Sequence, residues 1–120
     1  MKVVPESEWF EGMGNIAAYT VFLAKELMGV GLAVRVVDTT NKFAACYGRG
    51  WLAFNVHGLG RKWFDHGAAE EVDRLLIHEF GHQYSSDHLS SEYHESLCRL
   101  GAGLKWLALE KPEMLRKFMR

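Results

Sequence analysis

His78-Glu79-Phe80-Gly81-His82 sets two imidazoles four positions apart. On a helix that spacing is one turn, so both rings leave the same face and can hold one metal ion. Glu79 sits about 100° round the helix from His78, beside such an ion rather than on it. A carboxylate placed there can take a proton from water. A chance HExxH in a chain of this composition is expected roughly 0.03 times. The flanking pattern suits a helix. Val72, Leu76 and Phe80 recur every four positions, and Glu70 and Glu71 favour its N-terminal end.

A catalytic metal usually takes three protein ligands. His88 follows His82 by six positions. On a continued helix its side chain would point roughly 80° off the ligand face, so the helix must break first. Ser85-Ser86-Asp87 is a suitable place. Glu92, His94 and Glu95, at the start of the following helix, are the alternatives. Glu92 would share the ligand face of an unbroken helix, but about 21 Å along the axis from His78. Tyr84, Tyr93, His94 and His57 carry donors suited to a developing oxyanion. Tyr93 and His94 are preferred because they follow the last ligand closely. Otherwise His57 and His66 read as ordinary strand-end or loop histidines.

His78-Glu79-x-x-His82-x5-His88 resembles the zinc-binding signature of the zincin metallopeptidases, with the third histidine at metzincin-type spacing. Ser85 stands where the metzincin pattern HExxHxxGxxH has glycine, and no convincing Met-turn follows. The glycine-free form on a compact domain is similar to the WLM and SprT-like proteases and to small phage-type metallopeptidases. The motif covers residues 78–88, and the order of elements extends the likeness to about residues 15–107. The resemblance implies Zn2+ on His78, His82 and His88, with Glu79 as the base in peptide-bond hydrolysis. It also implies an extended peptide substrate, paired with the strand before the active helix, here Trp51–Val56. A catalytically silent metal-binding or interaction module, and a zinc hydrolase acting on a small amide, are the alternative readings.

These residues need a scaffold, and the chain is long enough for one domain, 1–120. Hydrophobic residues make up 48% and charged residues 24%, which excludes disorder. Asn15 to Met28 reads as a helix with Asn15 at its N-cap and Gly29 closing it. Gly31–Asp38, Phe43–Tyr47 and Trp51–His57 read as strands, with a turn at Gly48-Arg49-Gly50. Asp65 is the expected cap of the HExxH helix. Ser90 or Ser91 caps the next one, whose stripe is Leu97, Leu100, Leu104 and Leu107. A short amphipathic piece follows Pro112. The expected fold is α+β: a mixed sheet of three or four strands, an N-terminal helix, the active helix and a C-terminal helix.

A formal net charge of -1 gives no nucleic-acid footprint. The basic residues between Lys105 and Arg120 read as a solvated face. Gly12-Met-Gly14-Asn-Ile-Ala17, with Asp38 further on, copies a dinucleotide fingerprint but lacks the strand that must precede it. Trp51, Phe54, Trp63 and Phe64 read as core and cleft lining. Cys46 and Cys98 belong to no CxxC pair and read as buried thiols of a reducing compartment. The N-terminus is not patterned as a signal peptide, and no apolar run is long enough to span a bilayer. The expectation is a soluble, cytoplasmic protein whose partner is a peptide or protein substrate.

Overall fold

The structure, a computed structural model, describes residues 2–120. It is an α+β fold. Helix α1 spans Glu11–Met28, and strands β2 (Ala33–Asp38), β3 (Ala45–Gly48) and β4 (Trp51–Asn55) follow. Helices α2 (Val56–Leu59), α3 (Glu70–Phe80), α4 (Ser91–Glu110) and α5 (Pro112–Phe118) complete the order. Strand β1, Lys2–Val4, supplies the fourth strand, at a place the sequence pattern did not mark. The sheet order is β1-β2-β4-β3. β1 runs antiparallel to β2, β2 parallel to β4, and β3 antiparallel to β4.

Trp51–Val56 was expected to border the substrate cleft, but β4 lies inside the sheet. Its register runs Val36↔Phe54 on one side and Ala45↔Phe54 on the other. Both its backbone edges are therefore occupied, and β3 is the edge strand on that side. The chain crosses from β2 to this far edge through residues 39–44. Asn55, fully buried, pins that crossing. Its amide donates to the carbonyls of Thr39, Asn41 and Phe43 at 3.1, 3.3 and 2.9 Å. Its Oδ1 accepts from the backbone N–H of Thr39 and of His57.

One hydrophobic core joins the sheet to the helices. Ile16, Tyr19 and Leu23 of α1, Leu52 and Phe54 of β4, and Val72, Leu76 and Phe80 of α3 are all but fully buried. Each such side chain contributes on the order of 1.5–3 kcal/mol of transfer free energy. The four-residue stripe of α3 thus fixes which way the helix faces, and the opposite face carries the histidines. α5 closes the core from the other end. Phe118 packs on Tyr19 and Phe22 at centroid distances of 5.3 and 5.4 Å.

Several boundaries differ from the sequence expectation. α1 begins at Glu11, four residues before Asn15, because Met13 is buried along with Ile16 and carries the stripe one turn earlier. Asn15 instead donates to the Phe118 carbonyl at 3.0 Å. Gly12 and Gly14 are therefore helical, and a 3-10 turn at Glu6–Glu8, not a strand, stands immediately before their helix. Asp65 does not cap α3. Buried Phe64 draws residues 61–65 into a separate 3-10 turn, and Ala69 occupies the N-cap position. Gly29 closes α1 in the left-handed region (φ 68), as its type suggests. Leu100 and Leu107 of α4 are buried, and Leu97 and Leu104 are half-buried.

Candidate metal centre

α3 ends at Phe80, and residues 81–83 tighten into a 3-10 turn that keeps His82 on the face of His78. The chain then breaks where Ser85-Ser86-Asp87 stands. Ser85 Oγ accepts from Asp87 N–H at 3.2 Å and pairs with Ser90 Oγ at 2.9 Å. Asp87 Oδ1 accepts from Leu89 N–H at 2.9 Å. Ser90 accepts from Tyr93 N–H and so caps α4. This self-braced loop turns His88 back over the helix it has just left.

The donor atoms of His78, His82 and His88 all lie within 4.8 Å of one another. Nε2 of His88 is 2.8 Å from Nε2 of His82. Imidazole nitrogens on one tetrahedral zinc, bonded at about 2.0–2.1 Å, stand roughly 3.3 Å apart. The His82–His88 pair stands about 0.5 Å inside that value and all three donors lie within 4.8 Å, so the triad fits one ion with small ring movements. His82 Nδ1 lies 3.1 Å from the Ser85 carbonyl, which can only accept. The proton therefore sits on Nδ1, and Nε2 keeps its lone pair for a metal. Glu92, His94 and Glu95 lie exposed on the first turns of α4 and do not join the triad.

Glu79 lies on the buried side of α3, only 5% exposed. Its Oε2 is 3.8 Å from His78 Nε2. Burial pushes its pKa up to about 7. Burial, with the neighbouring His88 and His82, lowers that of His78. Ala45, Cys46 and Tyr47 of edge strand β3 line one cavity of about 400 Å3 with Glu79 and the three histidines. The Tyr47 hydroxyl donates to Gln83 Oε1 at 2.6 Å and ties this strand to the end of the helix. A second cavity of about 590 Å3 opens on His78 and Glu79 and is walled by Phe43, Leu59, Trp63 and Leu75. Among the described residues, this triad is the one group of three or more His, Cys, Asp or Glu that could hold a metal ion.

No family model, no curated protein and no solved structure matches the chain. Its functional reading therefore rests on its own geometry.

The other candidate residues fall as follows. Tyr93 was expected to donate to an oxyanion, but it is 2% exposed and its hydroxyl donates to the His78 carbonyl at 2.8 Å. Tyr84 stacks under Arg99 at 5.0 Å. His57 pairs with Asp38 at 4.0 Å and His66 with Glu71 at 3.3 Å, and neither joins the triad. Phe54 and Phe64 are core, Trp63 lines the larger cavity, and Trp51 lies under Arg35 instead. Lys111 and Arg120 of the basic tail pair with Glu26 and Glu11 of α1, so that face is partly fastened to the fold. Both cysteines are free and neither is buried: Cys46 is half-buried, and Cys98 is exposed because it points away from the α4 stripe. No described helix is long and apolar enough to cross a membrane.

One feature escapes a reading of the sequence. Tyr93 reaches His78 across 15 positions, which no local pattern reports. Gly81 is the one available signal. A Cβ there would stand 2.6 Å from Tyr93 Cε1, so only glycine lets the ring lie against the motif.

Proposed function

We propose that the chain is a zinc-dependent peptidase, with His78, His82 and His88 as metal ligands and Glu79 as the base. The observation that carries this reading is the placement of Glu79. It is a buried carboxylate, outside the triad, sharing the triad's cavity and lying 3.8 Å from one ligand. A purely structural metal site is closed by four ligands and needs no such base. Three imidazoles suit zinc among several divalent ions and leave a coordination position open. When bound, zinc polarises the scissile carbonyl and lowers the pKa of the attacking water.

The protein's own residues do the rest. Glu79 takes a proton from the attacking water and passes it to the leaving amine. β3 offers a free backbone edge beside the triad, on which an extended chain can pair. The larger cavity offers apolar walls to one of its side chains. Such an edge suits an unfolded or extended polypeptide better than a folded one.

The test is digestion of an unfolded, reduced and alkylated protein by the zinc-loaded chain, read by mass spectrometry. Cleavage should be abolished by chelation and by Glu79→Gln, while Glu79→Gln retains its zinc. A zinc-loaded wild type that cleaves only small amides, or nothing, overturns the peptidase reading.

A further inference from the structure

Tyr93 is the element of the centre that peptide hydrolysis leaves without a part, and its surroundings are unusual. Its ring lies within 6.0 Å, centroid to centroid, of all three imidazoles: His78 at 6.0 Å, His82 at 5.2 Å and His88 at 5.0 Å. It meets His78 and His88 edge to face and His82 at a tilt of 36°. Its hydroxyl touches His78 twice, at the carbonyl (2.8 Å) and at Nδ1 (3.1 Å).

We propose that Tyr93 is a positioning residue of the metal centre: its hydroxyl holds His78 in the Nδ1–H tautomer, and its ring is the post around which the three imidazoles are arranged. The tautomer follows from proton counting. A carbonyl oxygen only accepts, so the 2.8 Å contact uses the one hydroxyl proton. The contact at Nδ1 is then favourable only if Nδ1 carries the proton and the hydroxyl oxygen accepts it. Nε2 of His78 is left with its lone pair, and His78 lines the same cavity as His82 and His88. The Ser85 carbonyl does the same for His82. Two of the three ligands thus have their donor nitrogen selected before any ion arrives. The ring supplies what hydrogen bonds cannot, because His88 comes from a loop and leans on Tyr93 for its place. Tyr93 itself is held by burial and by the missing side chain at Gly81. This role concerns metal binding and stands whether or not the site hydrolyses peptides.

The experiment compares wild type, Tyr93→Phe and Tyr93→Leu. Folding is checked by circular dichroism and thermal melting in chelator. Zinc affinity is measured by competition with a chromophoric chelator. The tautomer of His78 is read from imidazole 15N shifts of the metal-free protein at pH 8. Loss of an outer hydrogen bond to a ligating histidine typically costs 10–100-fold in metal affinity. Tyr93→Phe keeps the post and loses the hydroxyl, so it should fold, bind zinc roughly 10–100-fold more weakly and move His78 toward Nε2–H. Tyr93→Leu should bind more weakly again. The proposal is overturned if wild-type His78 is already the Nε2–H form, or if Tyr93→Phe keeps both its tautomer and its affinity. Weaker zinc binding with an unchanged tautomer also overturns it, since packing alone would then explain the loss. Should Tyr93→Leu not fold, the phenylalanine variant decides.

Discussion

Gly81→Ala places one methyl group between α3 and α4, and its effect can be worked out from distances. The new Cβ would stand 2.6 Å from Tyr93 Cε1, 3.2 Å from Tyr93 Cδ1 and 3.1 Å from Leu97 Cδ2. Carbon pairs rest at about 3.5–4.0 Å, so the ring must retreat by roughly 0.9 Å. It has little room to do so, being 2% exposed with its hydroxyl tied to His78. Overpacking of this kind costs about 1–3 kcal/mol. A smaller effect opposes it. Gly81 has right-handed helical angles (φ -56, ψ -29), where alanine gains roughly 0.5–1 kcal/mol over glycine. The clash should win, leaving a net loss of about 1–2 kcal/mol in metal-free urea unfolding. Zinc binding should weaken as well, by about tenfold, because the displaced ring carries His78 with it. In a Tyr93→Leu background the cost should shrink, since leucine has no atom at the Cε1 position, and a double-mutant cycle reads this coupling. A Gly81→Ala protein that is as stable as wild type, or gains the helical increment, and binds zinc equally well would refute the reasoning.

Three further outcomes are expected. Glu79 has its folded pKa raised from 4.5 to about 7 by burial, so the metal-free fold binds its proton more tightly than the unfolded chain does. That contribution is fully present below about pH 4.5 and is lost as pH rises toward 7, by up to about 3 kcal/mol. Metal-free Glu79→Gln should therefore gain on wild type between pH 5 and pH 8, and a difference that stays constant with pH would contradict this. Asn55→Ala removes five hydrogen bonds that pin residues 39–43 and 57. It should cost about 3 kcal/mol and speed amide exchange in residues 39–44, while unchanged exchange there would refute the pinning role. Phe118→Ala removes the ring that packs on Tyr19 and Phe22. It should cost about 3 kcal/mol in the same unfolding assay, and a loss under 1 kcal/mol would show α5 to be dispensable.

Much of the centre is legible in the sequence, because its geometry is local. Four-residue spacing on one helix brings His78 and His82 together. The ten-residue offset of His88 requires a chain break, and Ser85, Asp87 and Ser90 make one by bonding to nearby backbone and to each other. The α+β layout is likewise legible from the stripes of α1, α3 and α4. Helix starts are less so. Asn15 and Asp65 have the right chemistry for caps, but burial of Met13 and Phe64 decides where the turns begin. Strand order is not legible at all. Ala53 and Asn55 are buried along with Leu52 and Phe54, and nothing in that run reports that β3 lies outside β4. The place of Tyr93 depends on how α4 crosses α3, a tertiary fact to which Gly81 is the sole local clue.

The most direct test of the metal centre is X-ray absorption of the zinc-loaded protein together with its metal-to-protein ratio. One zinc per chain is expected, with three histidine nitrogens and one further light atom at about 2.0–2.1 Å and no sulfur. The ion should be lost or sharply weakened in His88→Ala and retained in Glu92→Ala. A chain that retains no zinc, or a shell that contains the sulfur of Cys46 in place of an imidazole, would contradict the three-histidine site.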